Sequence, residues 1–242
     1  MTNLNTIVYD IQNIAYGGES SDDADLSFRQ VAYWVKQERS MLLSQMMSRK
    51  VRVPAVCVEY LNCVYLEPAD ASECCELESG IHILKSVNPI PTTIQRNGRD
   101  SILAVESLDG MRPFSETTDT RRKWNKYNKY TGSNQRWYIK NGYLYVSCDI
   151  RIEAVKVTGV FEDPEEVWKI NHCTSSHNPI LSACEYDWEY PFPISLSMAE
   201  QVTSIILQKR VNIILNAPSD EENNAKEDSG QMQPAPRQNS AG

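Results

Sequence analysis

The stretch from Ser20 to Arg49 constrains this chain most, because it joins a helix-start device to a long apolar stripe. Ser27 with Gln30 three residues on forms a capping box: the serine hydroxyl accepts an orphan backbone N–H, and the glutamine reaches back to the serine N–H. Leu26 and Val31 flank the box as a hydrophobic staple. Val31, Trp34, Val35, Leu42 and Met46 then recur at three- and four-residue intervals, with Arg29, Lys36, Gln37, Ser40 and Ser44 largely elsewhere around the axis. The spacing predicts a helix of roughly five turns. An amphipathic helix of that length needs other elements to cover its stripe.

Two further segments are patterned to cover it. Leu4, Ile7, Val8, Ile11 and Ile14 fall on one face of a first helix that stops at Gly17-Gly18, where glycine takes a left-handed conformation without steric cost. Residues 1–50 therefore read as a helical hairpin joined by an acidic loop. A last helix is predicted to start near Ser197, paired with Glu200 in a second capping box. It shows Met198, Val202, Ile205, Ile206 and Ile213 on its apolar face and ends before Pro218. This C-terminal helix, within residues 193–217, is expected to pack on the N-terminal helices.

Residues 51–192 have a different texture, rich in β-branched and aromatic residues up to Phe161 and punctuated by Asn97-Gly98, Asp109-Gly110 and Asn141-Gly142. Residues 137–146 read as a hairpin around Asn141-Gly142, a pair that readily supplies two positive φ angles. Val56 to Tyr60, Cys63 to Leu66, Ile81 to Val87, Ile102 to Val105 and Ile150 to Val160 are further predicted strands. Pro164, followed by Glu165 and Glu166, suits a helix start, and residues 170–195 read as loop with a knot of aromatics. The expected class is α+β: a helical hairpin plus a C-terminal helix forming a helical core, an inserted antiparallel β-domain, and a flexible C-terminal tail. That tail, residues 218–242, is too polar to offset its ordering entropy in isolation; the other reading has it order on a neighbouring subunit.

Composition then excludes several functions. The chain has 242 residues, 41% of them hydrophobic, enough for a sizeable core, and a net charge of −8 makes it a poor sequence-independent DNA binder. The N-terminus lacks a basic region with an apolar run of about seven residues, and no apolar run of about eighteen follows. Neither a secretory signal nor a membrane span is expected. Seven irregularly spaced cysteines point to reduced thiols, with Cys57 and Cys63 in apolar runs and Cys74-Cys75 adjacent. His172, Cys173, His177 and Cys184 supply zinc-ligand types, but neighbouring side chains rarely reach one tetrahedral ion, so an ordinary polar loop is the preferred reading. No phosphate loop, dinucleotide fingerprint or nucleophile elbow occurs, and His82 sits in an apolar run. No enzyme activity and no cofactor are expected.

The most distinctive composition is Arg121-Arg122-Lys123-Trp124-Asn125-Lys126-Tyr127-Asn128-Lys129-Tyr130. Cations interleaved with aromatics can track a phosphate backbone while stacking bases, can dock on an acidic partner, or can pack on the β-domain. The acidic remainder opposes the first of these.

The order of motifs also carries a resemblance. Gly17, Gly18, Ser21, Asp22, Asp23, Leu26, Ser27, Arg29, Gln30 and Trp34 open it. Ile90-Pro91, Asn97-Gly98, Asp109-Gly110, Phe114, Arg122 to Tyr127, Lys129 to Thr131, Asn141-Gly142 and Leu144-Tyr145 continue it. Phe161 to Pro164, Tyr190 to Ile194 and Asp220 to Asn224 complete it. Together they resemble the head-to-tail connector (ring or adaptor) proteins of crAss-like short-tailed bacteriophages.

The resemblance implies a virion protein, assembled in the host cytoplasm as a homo-oligomeric ring of twelve copies below the portal. Such a ring links capsid to tail around a channel that double-stranded DNA traverses without specific binding. It implies the portal and further tail or ring proteins as partners, no membrane, and no catalytic residues. Within that frame the amphipathic helices are expected to form the ring interface through Arg29, Gln30, Trp34, Leu42, Met46, Val202 and Ile206. Docking to the portal or a neighbour is expected through Arg121, Arg122, Lys123, Trp124, Lys126, Tyr127, Lys129 and Tyr130. The alternative is a tail-associated binding module, for carbohydrate or protein, in which aromatics on the β-domain form a platform.

Overall fold

The computed structural model describes residues 2–18, 26–69, 82–96, 98–118, 120–121, 124, 127, 129–130, 135–148, 152–173 and 185–212. The polar tail and the acidic loop before Leu26 lie outside the described residues.

Helix α1, Leu4–Tyr16, starts at Asn3, whose side-chain oxygen accepts the Thr6 N–H at 2.7 Å. It ends at Gly17, whose φ of 67° is the left-handed value expected of that glycine. Ile14, read as part of the apolar face, is 59% exposed. Gln12 is buried in its place because its side chain has a task there: Nε2 donates to the Leu26 carbonyl at 3.0 Å, while the Tyr16 hydroxyl accepts the Leu26 N–H at 2.8 Å. Two polar groups of α1 thus hold the entry to α2.

Helix α2, Phe28–Ser48, is capped by Ser27, which accepts the Gln30 N–H at 3.2 Å, and the staple residues Leu26 and Val31 are both buried. Its second half is rotated from the expected phase. Leu43 and Met47 face the core, and Leu42 and Met46 are half-buried. The reason is Arg39: steps of four from Val31 run through Val35, Arg39, Leu43 and Met47, so a charged residue occupies the middle of the apolar stripe.

The sheet has seven strands. They are β1 Glu59–Pro68, β2 His82–Ser86, β5 Ile102–Ser107, β6 Ser115–Glu116, β7 Arg136–Lys140, β8 Tyr143–Cys148 and β9 Ala154–Gly159, in the order β5-β9-β1-β2-β8-β7-β6. A separate two-residue hairpin pairs β3, Gln95–Arg96, with β4, Arg99–Asp100. Strand β1 serves two neighbours, pairing with β9 from Glu59 to Tyr65 and with β2 from Leu66 to Pro68. The β7–β8 turn is as expected, with φ of 51° at Asn141 and 79° at Gly142.

Three strand expectations change. Ala55–Cys57 form a 3-10 turn, so the two segments read before Leu66 make a single strand with a bulge between Leu61 and Val64. β9 begins at Ala154, with Ile152 and Glu153 outside it, and Ile150 and Arg151 of the expected strand lie outside the described residues. β6 pairs parallel to β7, so the sheet is not wholly antiparallel. Residues 112–117 also tie the two edge strands together: Phe114 N–H bonds the Val105 carbonyl at 2.8 Å, and Thr117 N–H bonds the Trp137 carbonyl at 2.8 Å. The sheet is thereby nearly closed into a barrel, which leaves few strand edges exposed.

Helix α3, Pro164–Cys173, opens with the expected proline and acids but runs on where loop was expected, burying Val167 and Ile170 against the barrel core of Leu61, Val105, Phe114, Trp137, Val155 and Val157. Helix α4, Leu196–Ile206, is entered from Ser195 and not from Ser197, which sits inside its first turn. It widens to a π turn over Leu207–Val211, and Ile213 lies outside the described residues. Met198, Val202 and Ile206 of α4 join Leu4, Val8, Ile11, Val31, Val35 and Leu43 in a second apolar cluster. That cluster reaches Cys57, Ile94 and Val160 at the edge of the barrel.

Arg39 joins the two layers. Its side chain is wholly buried, Nε donating to the Pro193 carbonyl at 2.9 Å, Nη1 to the Phe161 carbonyl at 3.0 Å and Nη2 to Glu59 Oε2 at 3.0 Å. The guanidinium also lies 5.6 Å from the centre of the Phe192 ring. Arg39→Leu keeps an apolar stem but leaves the buried Glu59 carboxyl and two carbonyls without their donor, and is expected to cost about 3–5 kcal/mol in chemical denaturation. A loss below about 1 kcal/mol would mean that desolvation of the pair cancels its bonds.

Burial pushes Glu59 from 4.5 up to about 7, against the pull of the Arg39 guanidinium. The folded state therefore holds a proton there that the unfolded state releases. Its contribution to stability is fully present below about 4.5 and lost as pH rises through about 7, a total of about 3 kcal/mol at most. Urea titrations across this range are expected to show a decline in the wild type that Glu59→Gln flattens. Parallel curves would refute the assignment.

Candidate functional site

The outer face of α2 does not end at solvent. With the segment from Glu162 to Glu165, Lys169 of α3, and Glu185 to Trp188 it forms a groove of 650 Å³. Lys36, one turn before Arg39, reaches across the floor: its Nζ lies 3.1 Å from Asp163 and bonds Glu165. Lys169 bonds the other oxygen of Glu165 at 2.7 Å, one helical turn along α3. Burial works against the charge on Glu165, yet the hydrogen bonds from Lys169 and Lys36 prevail and hold its carboxyl below the usual range. Asp163 in turn accepts the Glu165 N–H at 2.9 Å, capping α3.

The groove's other wall is aromatic. Tyr186 packs edge-on against Trp188 with ring centres 5.6 Å apart, and Trp188 meets Phe28 at 5.0 Å. Burial pushes the Tyr186 phenol well above its ordinary range, and Glu165 and Asp163 add to the effect. Tyr33 stands exposed on the α2 side. Both floor cations are committed to Asp163 and Glu165, whereas Glu162 and Glu185 hold no ion pair among the described residues. This is a recess suited to contact.

The expected ring-interface residues separate into two groups. Arg29 and Gln30 are exposed at the start of α2, and Arg29 lines the groove. Trp34, Val202 and Ile206 are buried in the chain's own helical cluster, with Arg210 5.5 Å over the Trp34 ring, and Leu42 and Met46 are half-buried. The first group is available to another molecule; the buried three are committed within this one. Neither Tyr33 nor Glu185 is singled out from sequence, which places Trp188 only within the knot of aromatics of residues 170–195. Tyr33 carries a signal of its own, an aromatic on the polar face of α2.

The basic aromatic stretch lies between β6 and β7. Among its described residues Arg121 is exposed, as are Trp124 at 73%, Tyr127 at 72% and Tyr130 at 87%. Trp124 and Tyr127 sit with ring centres 6.4 Å apart, and Lys129 Nζ is 5.8 Å from the Tyr130 ring. Arg122, Lys123 and Lys126 lie outside the described residues. The reading in which these aromatics pack on the β-domain does not hold for Trp124, Tyr127 or Tyr130.

His172 is accounted for locally: Nδ1 lies 2.9 Å from the Trp168 carbonyl, and the ring stacks on Trp168 at 4.8 Å. His177, Cys184, Cys74, Cys75 and the side chains of Cys173 and His82 lie outside the described residues. Among the described residues no group of three His, Cys, Asp or Glu is placed to hold a metal ion, and no helix is long and apolar enough to cross a membrane. Cys57 is buried, and burial raises its thiol, as suits a packed apolar side chain.

Comparison with known proteins follows the same extent. Ring protein 2 of Bacteroides phage crAss001 is 27% identical over 221 residues, an alignment covering 86% of this chain and 91% of that protein. The family model described as phage tail ring protein 2 matches residues 6–229, from the first turn of α1, through the barrel and the groove, into the polar tail. The chain belongs to the phage tail ring protein 2 family, a family of structural components of the virion and not of enzymes.

Proposed function

We propose that the protein forms a ring of twelve copies in the head-to-tail connector below the portal, joining capsid to tail around the DNA channel. The observation that carries this reading is the family match over residues 6–229, which spans both the helical layer and the barrel. The order of short motifs along the chain supports the connector position. The partners are further copies of the chain, the portal, and neighbouring tail or ring proteins. DNA passes through without being gripped: a net charge of −8 gives a channel wall little affinity for phosphates. Assembly takes place in the host cytoplasm.

A carbohydrate platform on the strands is less well supported. Trp137, Tyr138 and Tyr145 are buried, and Tyr138 stacks on Tyr145 at 5.1 Å, so these rings pack against protein.

Native mass spectrometry of the purified chain, alone and mixed with the portal of the same genome, tests the proposal. A twelve-copy species, even one formed only on the portal, is expected. Monomer in both samples overturns the placement next to the portal, and glycan binding by that monomer would favour the module instead.

A further inference from the structure

The cationic aromatic stretch and the acid-rimmed groove are found on the same chain, and none of the described residues of the stretch lines the groove. Residues 121–130 carry five cations and no acid, and Trp124, Tyr127 and Tyr130 are each more than 70% exposed. These three rings are therefore not seated in their own groove. The groove offers what such a stretch needs: carboxylates of Glu162 and Glu185 without an ion pair among the described residues, and an aromatic wall of Tyr33, Tyr186 and Trp188. At 650 Å³ it has room for more than one aromatic side chain.

We infer that the stretch of one copy docks in the groove of the next, and that this contact is the junction repeated around the ring. The inference rests on the ring reading above and assigns the two surfaces that meet. Trp124, Tyr127 and Tyr130 supply rigid anchors, a role aromatics commonly play at interface centres. Arg121 and Lys129 face Glu162 and Glu185, so opposite charges meet at the rim while the Lys36–Glu165–Lys169 cluster stays intact. Arg29, the exposed cation of the groove, stacks on an incoming ring. Two different surfaces that fit each other head to tail form a heterologous interface, which yields a closed ring when the rotation closes.

The test uses the full-length chain under whichever condition, alone or with portal, gives the wild-type ring. An arm variant, Arg121→Glu with Lys129→Glu, and a groove variant, Glu162→Lys with Glu185→Lys, are each expected to lose the ring while keeping the wild-type circular dichroism and melting curve. Mixed together, the two keep one intact groove and one intact arm, but the two reversed surfaces also complement each other. The mixture and the chain carrying all four changes are therefore both expected to regain rings. A third variant, Trp124→Ala with Tyr130→Ala, changes only exposed side chains and is expected to weaken assembly at least tenfold in concentration. Wild-type-like rings from the arm or the groove variant alone would overturn the inference. So would an arm variant that forms rings but no longer binds portal, which would assign the stretch to the portal and leave the ring reading standing. Absence of a wild-type ring in every sample would overturn both.

Discussion

A fully buried guanidinium is stable only where each of its nitrogens finds an acceptor, and the position of α2 on the barrel depends on Arg39 doing so. Its partners come from three separate places: Glu59 at the start of β1, the Phe161 carbonyl just after β9, and the Pro193 carbonyl before α4. Taking the charge out of water costs several kcal/mol, and no single partner offsets that. The fold is therefore favoured with all three segments in place together, which makes Arg39 a device for specifying one arrangement of the two layers. Lys36 extends the same seam by one helical turn to Asp163 and Glu165. The groove inherits its shape from this seam, because one wall is α2 and the other begins at the residue after Phe161.

Much of this was legible in sequence where the signal was local. The Ser27 cap, the Leu26–Val31 staple, the Gly17 stop and the Asn141-Gly142 turn all depend on residues within a few positions of one another, and each is present. The failures share a cause. Arg39 broke the apparent stripe of α2, since a charged residue reads as solvent-facing until its distant acceptors are known, and the phase beyond it slipped by one residue. Ile14 reads as part of the apolar face and Gln12 does not for the same reason: the carbonyl that retains Gln12 is 14 residues away. The parallel β6–β7 pairing and the near-closure through residues 112–117 are non-local and leave no periodicity in the chain. The groove was illegible because α2, α3 and the segment before α4 meet only in three dimensions. The cationic stretch, by contrast, was conspicuous, since composition alone marks it.

Charge distribution then connects the fold to assembly. With five cations gathered in residues 121–130, the remainder of the chain is more acidic than its net −8. Copies of such a chain repel one another and repel DNA at distances beyond a few contacts, and salt screens both effects over roughly 8–10 Å. In the proposed ring, association is therefore local and oriented, with the cationic stretch set against carboxylates while like-charged faces stay apart. The same acidity that disfavours DNA binding penalises any docking in which cation does not meet acid, so it narrows the relative orientations open to two copies.

A ring also relaxes what each junction must supply. In an open pair a copy leaves when one contact breaks, whereas in a closed ring each copy is held at two junctions that must open together. The second contact forms at the high effective concentration set by the first. The proposed junction, three exposed aromatic anchors and a rim of screened charge pairs each worth little alone, is adequate under that condition. It is also weak enough as an isolated pair to be corrected during assembly. Rigidity is what closure demands in return, because in the proposed ring a fixed copy number requires a fixed angle between the stretch and the groove. That angle is set inside each copy, where the stretch springs from β6 and β7 of the barrel, the groove is formed on α2, and the buried bonds of Arg39 hold barrel and helix to each other.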